Sequence, residues 1–231
     1  YDQSKVISYY DDVAATFTNF AMSGIDKVHF GLEAAVSIPI YHTLALNGAV
    51  SWGQYTYDSN PYYLQTQDNS GDIVSDGYVY WKDFRVESTP QTAVNVGLSW
   101  RSNNNIYLSA DFNYYNNMYL SMSPIYRTDA VVTGGMAPGD IEHLRRQEKF
   151  DSAYTLNASI GKNWYIHRKY TLGFSLDVKN ILNNQDIKTG GYEQTRLSKN
   201  TETTVTTYQA FDSKYFYMFG TTYYLNLYFR F

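Results

Sequence analysis

Four histidines, His29, His42, His143 and His167, are the first residues whose chemistry could include metal binding or proton transfer. No two of them stand at i, i+4 or in an HxH pair, the spacings that bring two imidazoles to one ion. His42 and His167 lie beside polar or basic residues in segments that read as short turns, so solvated turn histidines are expected there. Cysteine is absent, which excludes a disulfide framework. The run Gln67-Asp68-Asn69-Ser70-Gly71-Asp72 approaches a calcium loop, but it lacks the D-x-[DN]-x-[DN]-G spacing and the distal Glu. Neither Gly134-Gly135 nor Gly190-Gly191 follows a strand and opens a helix with G-x-G-x-x-G, so no phosphate loop is expected. No Ser-His-Asp set and no locally positioned pair of carboxylates stands out. No catalytic residue, cofactor or metal is therefore assigned, and no enzyme is expected.

Rings are the residues in excess. The chain of 231 residues holds 25 Tyr, 12 Phe and 4 Trp, 18% of the total. Side chains with an apolar body and a polar tip suit boundaries between oil and water. Tyr62, Tyr63, Tyr78, Tyr80 and Trp81 cluster in one polar stretch and are the candidates for ligand contact, by stacking on sugars or gripping peptides. Glu142, Arg145, Arg146, Glu148 and Lys149 form a mixed-charge cluster with helical potential, expected as a solvated loop helix. The formal charge of −4 shows no basic excess that would point to nucleic acid.

The elements that must position these residues are strands. Reading back from the C terminus, Phe231, Phe229, Leu227, Leu225, Tyr223, Thr221, Phe219, Tyr217 and Tyr215 alternate with Arg230, Tyr228, Asn226, Tyr224, Thr222 and Gly220. Period 2 puts the two sets on opposite faces of one strand. The same alternation runs through Leu172–Val178, Tyr154–Ile160, Ile106–Phe112, Val94–Trp100, Leu44–Trp52 and Val28–Val36, with Glu33, Arg101, Asp111, Asp177 and Lys179 among the polar rows. A soluble β-sandwich shows the same local pattern. The links differ from a sandwich's. Short ones are expected near Pro39–His42, Ser102–Asn105 and His167–Lys169, and long, structureless ones over Asp58–Ser88, Pro124–Phe150 and Asn184–Lys214. Strict alternation of short and long links is the habit of outer-membrane barrels, with short periplasmic turns and long outer loops. Mean hydropathy is −0.44, and no apolar run approaches the ~20 residues of a membrane helix. A barrel evades that test, because its strands alternate lipid-facing and lumen-facing residues.

The expected fold is therefore all-β: an antiparallel up-and-down transmembrane barrel, of which this chain supplies about seven or eight strands. The segment before about Gly24 reads as loop-like, which favours a slice of a larger barrel over a complete eight-stranded one. No signal peptide opens the chain. An open sheet would leave unpaired edges in lipid, so the rest of the barrel is expected as another chain or another part of the same protein.

Four segments carry a family resemblance. Asn180-Ile181-Leu182-Asn183-Asn184 resembles the NxxN element that ends the penultimate strand of TonB-dependent outer-membrane transporters. Tyr223 to Phe231 resembles their closing strand with its terminal Phe. Gly31-Leu32-Glu33 and Thr89-Pro90-Gln91 resemble two further strand markers, in family order. Gly190-Gly191-Tyr192-Glu193 is similar to the SusC-like branch, whose precursors carry a carboxypeptidase-like regulatory domain. The resemblance implies a 22-stranded barrel with an internal plug, of which residues 1–231 are the C-terminal third, the plug and earlier strands lying outside the chain. It also implies active uptake of a glycan, peptide or metal chelate. The implied partners are the remainder of the barrel and its plug, the TonB complex acting through the plug, a surface-exposed substrate-binding lipoprotein, lipid and lipopolysaccharide, whose phosphates the 142–149 cluster could meet. Phe231, Phe229, Leu227, Leu225 and Tyr223 would be lipid-facing and form the signal read by the barrel-assembly machinery. The implied location is the outer membrane of a Gram-negative bacterium, C terminus periplasmic and long loops outside.

Overall fold

The computed structural model describes residues 3–11, 16–133, 146–167, 169–200 and 207–231. In chain order the strands are β1 Gln3–Asp11, β2 Thr16–Ile25, β3 Lys27–Tyr41, β4 Leu44–Tyr57, β5 Tyr62–Gln67, β6 Ile73–Tyr78, β7 Thr92–Arg101 and β8 Ile106–Asn116. A 3-10 turn, Pro124–Arg127, and a short helix α1, Asp129–Thr133, follow. The remaining strands are β9 Ala153–Ile166, β10 Tyr170–Lys179, β11 Lys188–Tyr192, β12 Leu197–Asn200, β13 Thr207–Ala210, β14 Lys214–Tyr217 and β15 Thr222–Arg230. Among the described residues the chain is mostly antiparallel β-sheet with almost no helix.

Seven strands make one wall, ordered β15-β10-β9-β8-β7-β4-β3, every pair antiparallel. Leaving out the strands that lie in the long links, this is chain order. The three short turns fall where the alternation breaks: His42–Thr43, 102–105 and 167–169. Asn105 and His167 take positive φ in two of them, a conformation that Asn and His adopt more readily than most residues. The wall is an open sheet. β3 and β15 are its edges and do not pair with each other.

Register turns seven local patterns into one surface. Leu32 faces Trp52, Val50 faces Val94, Leu98 faces Ala110, and Phe112 faces Leu156. Ile160 then faces Leu176, which faces Leu225. A one-residue slip in any pair would have sent a greasy row to the other side.

The long links are not structureless, which corrects the sequence expectation. They and the N-terminal segment build a cap beyond the ends of the wall strands. β1, β2, β5 and β6 form a four-stranded sheet, and β11·β14 and β12·β13 are two-stranded ribbons. The stretch before Gly24, expected as loop-like, is the β1–β2 hairpin. β2 runs into β3 with only Asp26 between them, and β5 pairs with β2 just above where β4 pairs with β3. Here the buried core sits: Phe20, Met22, Ile25, Tyr57, Tyr63, Val79, Trp81, Met122, Ile125, Tyr126 and Val131 pack together. Polar composition hid it, because Tyr, Thr and Gly strands bury one side without reading as apolar.

The alternation over Tyr215–Phe231 predicts a single strand, and the structure splits it. β14 leaves the wall for β11, and the wall strand starts only at Thr222. The Asn180–Asn184 element causes the break. Asn180, 3% exposed, donates from Nδ2 to the carbonyls of Asn184 and Phe219, both at 3.0 Å. Asn183 accepts from the Thr221 N–H at 3.1 Å. Asn180 and Asn183 both sit at positive φ, which Asn tolerates through its short polar side chain. The two asparagines thus pin the start of the last strand to the end of β10.

Candidate membrane-facing surface and ligand-contacting loops

The apolar face of the wall is uncovered. Phe30, Leu32, Val36, Trp52, Val96, Leu98, Phe112 and Tyr154 on that face are all exposed, as are Leu172, Tyr223, Leu225, Leu227 and Phe229. No second sheet packs on them among the described residues. Monomeric water-soluble proteins rarely leave so large an apolar patch bare. Rings gather at its two ends. Phe30, Trp52, Tyr114, Tyr154 and Tyr223 lie toward the cap, and Trp100, Trp164, Tyr170, Phe229 and Phe231 toward the short turns. Between them the face is mainly aliphatic, with Phe112 and Phe174 among the aliphatic side chains. From Tyr154 to Trp164 strand β9 advances about 33 Å at ~3.3 Å per residue. At the tilt of ~40° found in outer-membrane barrels, that length would cover about 25 Å of height, which is the apolar band of such a barrel.

Lys162 is the charged residue in these rows. It faces Ile106 and Phe174 close to the short turns, and its ammonium lies 5.2 Å from the Trp164 ring. A lysine at that height can reach water along its stem.

The opposite face is a lattice of polar side chains that bond sideways across strands. Ser37 donates to Asn47, which donates to Ser99, at 2.7 and 3.1 Å. Asn95, Asn113 and Thr155 form a second row, and Ser109 with Ser159 a third. Tyr107 lies over Gly161 and Tyr228 over Gly173, where the missing side chain leaves room for the ring. The lattice reads as a surface that meets water or a polar filling.

In the cap, the five candidate contact residues separate. Tyr63 is 1% and Trp81 2% exposed; both are core. Tyr63 stacks on Phe20 with ring centroids 4.7 Å apart. Tyr80 is half-buried and its N–H donates to the Arg127 carbonyl. Tyr62 and Tyr78 are exposed and meet edge to face, centroids 5.7 Å apart. Tyr62 donates to Asp76 at 2.5 Å, a bond that raises its phenol pKa. Of the five, Tyr62 and Tyr78 keep ring surface open to a ligand.

Two charged pairs that sequence reading missed hold the cap together. Arg127, fully buried, forks onto Glu193 at 2.5 and 2.8 Å, and Glu193 also accepts the Ser123 N–H at 2.8 Å. Lys188 meets Glu148 at 3.0 Å, and the Tyr215 hydroxyl donates to the same carboxylate at 2.7 Å. Burial works against the Lys188 ammonium, but Glu148 outweighs it and the pKa is raised. Burial, then the nearby Glu193 charge, pushes the Tyr126 phenol up to about 12. The sequence signal for Arg127 was a lone cation directly after Pro124-Ile125-Tyr126, at the end of a mostly apolar turn that cannot bury it unpaired.

Between these pairs lies a cleft of about 510 Å³, lined by residues of 146–149, 210–215 and Glu193. Residues 134–145, with Glu142, His143 and Arg145, lie outside the described residues. Among the described residues of this link the helical turns are at 124–133, and Arg146 to Lys149 are not helical; the rest of the expected loop helix lies outside the described residues.

Gly191 shapes the ribbon that carries Glu193. Its φ is +153°, and a Cβ there would run into the Lys214 carbonyl. Gly190 has only the Phe216 ring nearby, at 3.5 Å. Gly191→Ala should therefore part β11 from β14 and speed proteolytic nicking of residues 184–217, while Gly190→Ala should leave nicking close to wild type. Equal resistance of both variants would remove Gly191 from this role.

Among the described residues, no group of three His, Cys, Asp or Glu side chains could hold a metal ion. His29 instead stacks on Tyr55 and His42 meets Tyr41 edge to face, at 4.8 and 4.9 Å. Compared with known proteins, the chain matches no family, no curated protein and no solved structure.

Proposed function

We propose that this chain is the C-terminal part of the barrel of a TonB-dependent outer-membrane transporter that takes up a nutrient. The observation that carries the membrane reading is the seven-strand apolar face, bare, ringed by aromatics at both ends and interrupted by one lysine near its rim. Hydrocarbon is the solvent that such a surface fits. The polar lattice then lines the lumen, and the cap stands outside. Transport, rather than a structural role, is supported by the resemblance of the Asn180, Gly31, Thr89 and C-terminal segments to that family. The remaining strands and plug complete the barrel, and the TonB complex drives it through the plug. A surface lipoprotein is the expected companion at the cap, and the full reading frame should encode a plug ahead of Tyr1.

A complete eight-stranded barrel fits less well. The β1–β2 hairpin extends the cap instead of bridging β3 to β15. A carbohydrate-binding sandwich would need a second layer on the apolar face.

The chain has no cysteine, so one introduced thiol reports its own side of the membrane. Ser70→Cys, in the β5–β6 turn, should react with an impermeant maleimide on intact cells. Asn104→Cys, in a short turn, should react only after the outer membrane is opened. The opposite pattern, or equal labelling of both, rejects the proposed orientation.

A further inference from the structure

We propose that the lipid-facing end of the β9–β10 hairpin seats an anionic phospholipid of the periplasmic leaflet, its phosphate on the Lys162 ammonium and its acyl chains over Phe174, Ile160 and Leu176. The inference deepens the membrane reading and rests on it. Segregation of charge carries it. The short-turn end of the wall comprises residues 37–47, 98–109, 160–173 and 226–231. It holds Arg101, Lys162, Arg168, Lys169 and Arg230, and none of the 22 Asp and Glu. Set against a terminal carboxylate on Phe231, those five cations still leave this end positive by four. Arg101, Lys162, Lys169 and Arg230 make no ion pair among the described residues. A positive rim at this height complements a negative layer of headgroups.

Two of these cations stand on the lipid side. Arg101 and Arg230 belong to the polar rows, opposite Tyr107 and Thr171. Lys162 lies in the apolar row, opposite Phe174. Its side chain bends toward the turn, because its ammonium reaches the ring of Trp164, two residues nearer the turn. The ring takes one side of the ammonium, which has three donors, and a phosphate oxygen can accept from the rest. Lys169, exposed in the turn, lies 5.3 Å from the Tyr170 ring and adds charge below the same site. Toward the midplane the surface turns aliphatic, with Ile160 opposite Leu176. Net charge selects the headgroup. Phosphatidylethanolamine cancels its own phosphate, whereas phosphatidylglycerol brings an unmatched negative charge. Lipopolysaccharide phosphates lie at the opposite rim in the proposed orientation.

The test reconstitutes the full-length protein in phosphatidylcholine, with bimane on the introduced thiol of Leu172→Cys, a position opposite Trp164. Quenching by acyl-brominated phosphatidylglycerol, relative to brominated phosphatidylcholine at the same fraction, reports which lipid occupies the site. Phosphatidylglycerol should be enriched about fivefold, the preference expected from one cation near the surface. Lys162→Gln should bring the ratio close to parity and Lys162→Arg should restore it. Lys82→Gln, on the cap, should leave it as in wild type. High salt should shrink the preference. Parity in the wild type overturns the proposal, as does an unchanged ratio in Lys162→Gln. So does loss of the preference on adding soluble glycerol phosphate, which would make this a site for free phosphate. Failure of the membrane reading looks different: brominated phosphatidylcholine then quenches nothing, and both proposals fall together.

Discussion

Leu176→Arg should sharply reduce the folded protein recovered from the outer membrane, while Ser175→Arg, one residue away, should assemble nearly as well as wild type. Leu176 lies mid-strand on the bare apolar face, between Ile160 and Leu225. An arginine at the bilayer midplane costs about 2–4 kcal/mol on the lipid side of a barrel. Ser175 points the other way, between Gly161 and Asn226 on the polar lattice. A guanidinium there meets polar side chains and water. The readout is the heat-modifiable fraction on a gel of outer-membrane extracts, in which folded barrels migrate apart from unfolded chains. The paired design separates face from position, since both residues share one depth and one strand. Equal recovery of the two variants would falsify the assignment of faces, and with it the membrane reading.

Arg127→Ala should open the cap without unmaking the wall. The substitution leaves the Glu193 carboxylate, 12% exposed, facing a buried site without its cation. Breaking a buried pair from one side costs about 3–5 kcal/mol. Glu193→Ala should cost at least as much, because the orphaned guanidinium is the more deeply buried partner. Replacing both, as Arg127→Met with Glu193→Leu, should recover most of the loss, since no charge is then stranded. Hydrogen exchange is the measurement. Amides of the 3-10 turn and of β11 should lose protection in the single variants, and those of β8, β9 and β10 should keep it. If protection in the cap is unchanged in Arg127→Ala, the pair is ornamental.

How much of this was readable beforehand depends on distance along the chain. The wall was legible, because facing in a strand is a local property and each row carried its own alternation. The short turns followed from where that alternation stopped. The cap was not legible, and Tyr62 and Tyr63 show why. They are neighbours of one type, yet Tyr63 is buried opposite Met22 and Tyr62 is exposed opposite Ser23. Tyrosine suits either environment, so only the pairing with β2 decides. The Arg127–Glu193 pair joins residues 66 apart, with no motif linking them. The C-terminal alternation misled for a related reason: the break at 218–221 is imposed by Asn180 and Asn183, which lie just past the end of another strand. The same limit hid the cleft, whose walls come from segments that meet only after folding.

β2 passes into β3 across a single residue, and β5 continues on β2 the pairing that β4 makes with β3. On the proposed membrane reading, this would join a shank that is stable in oil to a head that condenses in water. Pulling the shank back would drag the buried Arg127–Glu193 fork and the exposed edges of the cap ribbons through hydrocarbon, where unsatisfied backbone and charge are least tolerated. On the proposed membrane reading, insertion of such a chain would run one way, as a rivet does once its head has formed.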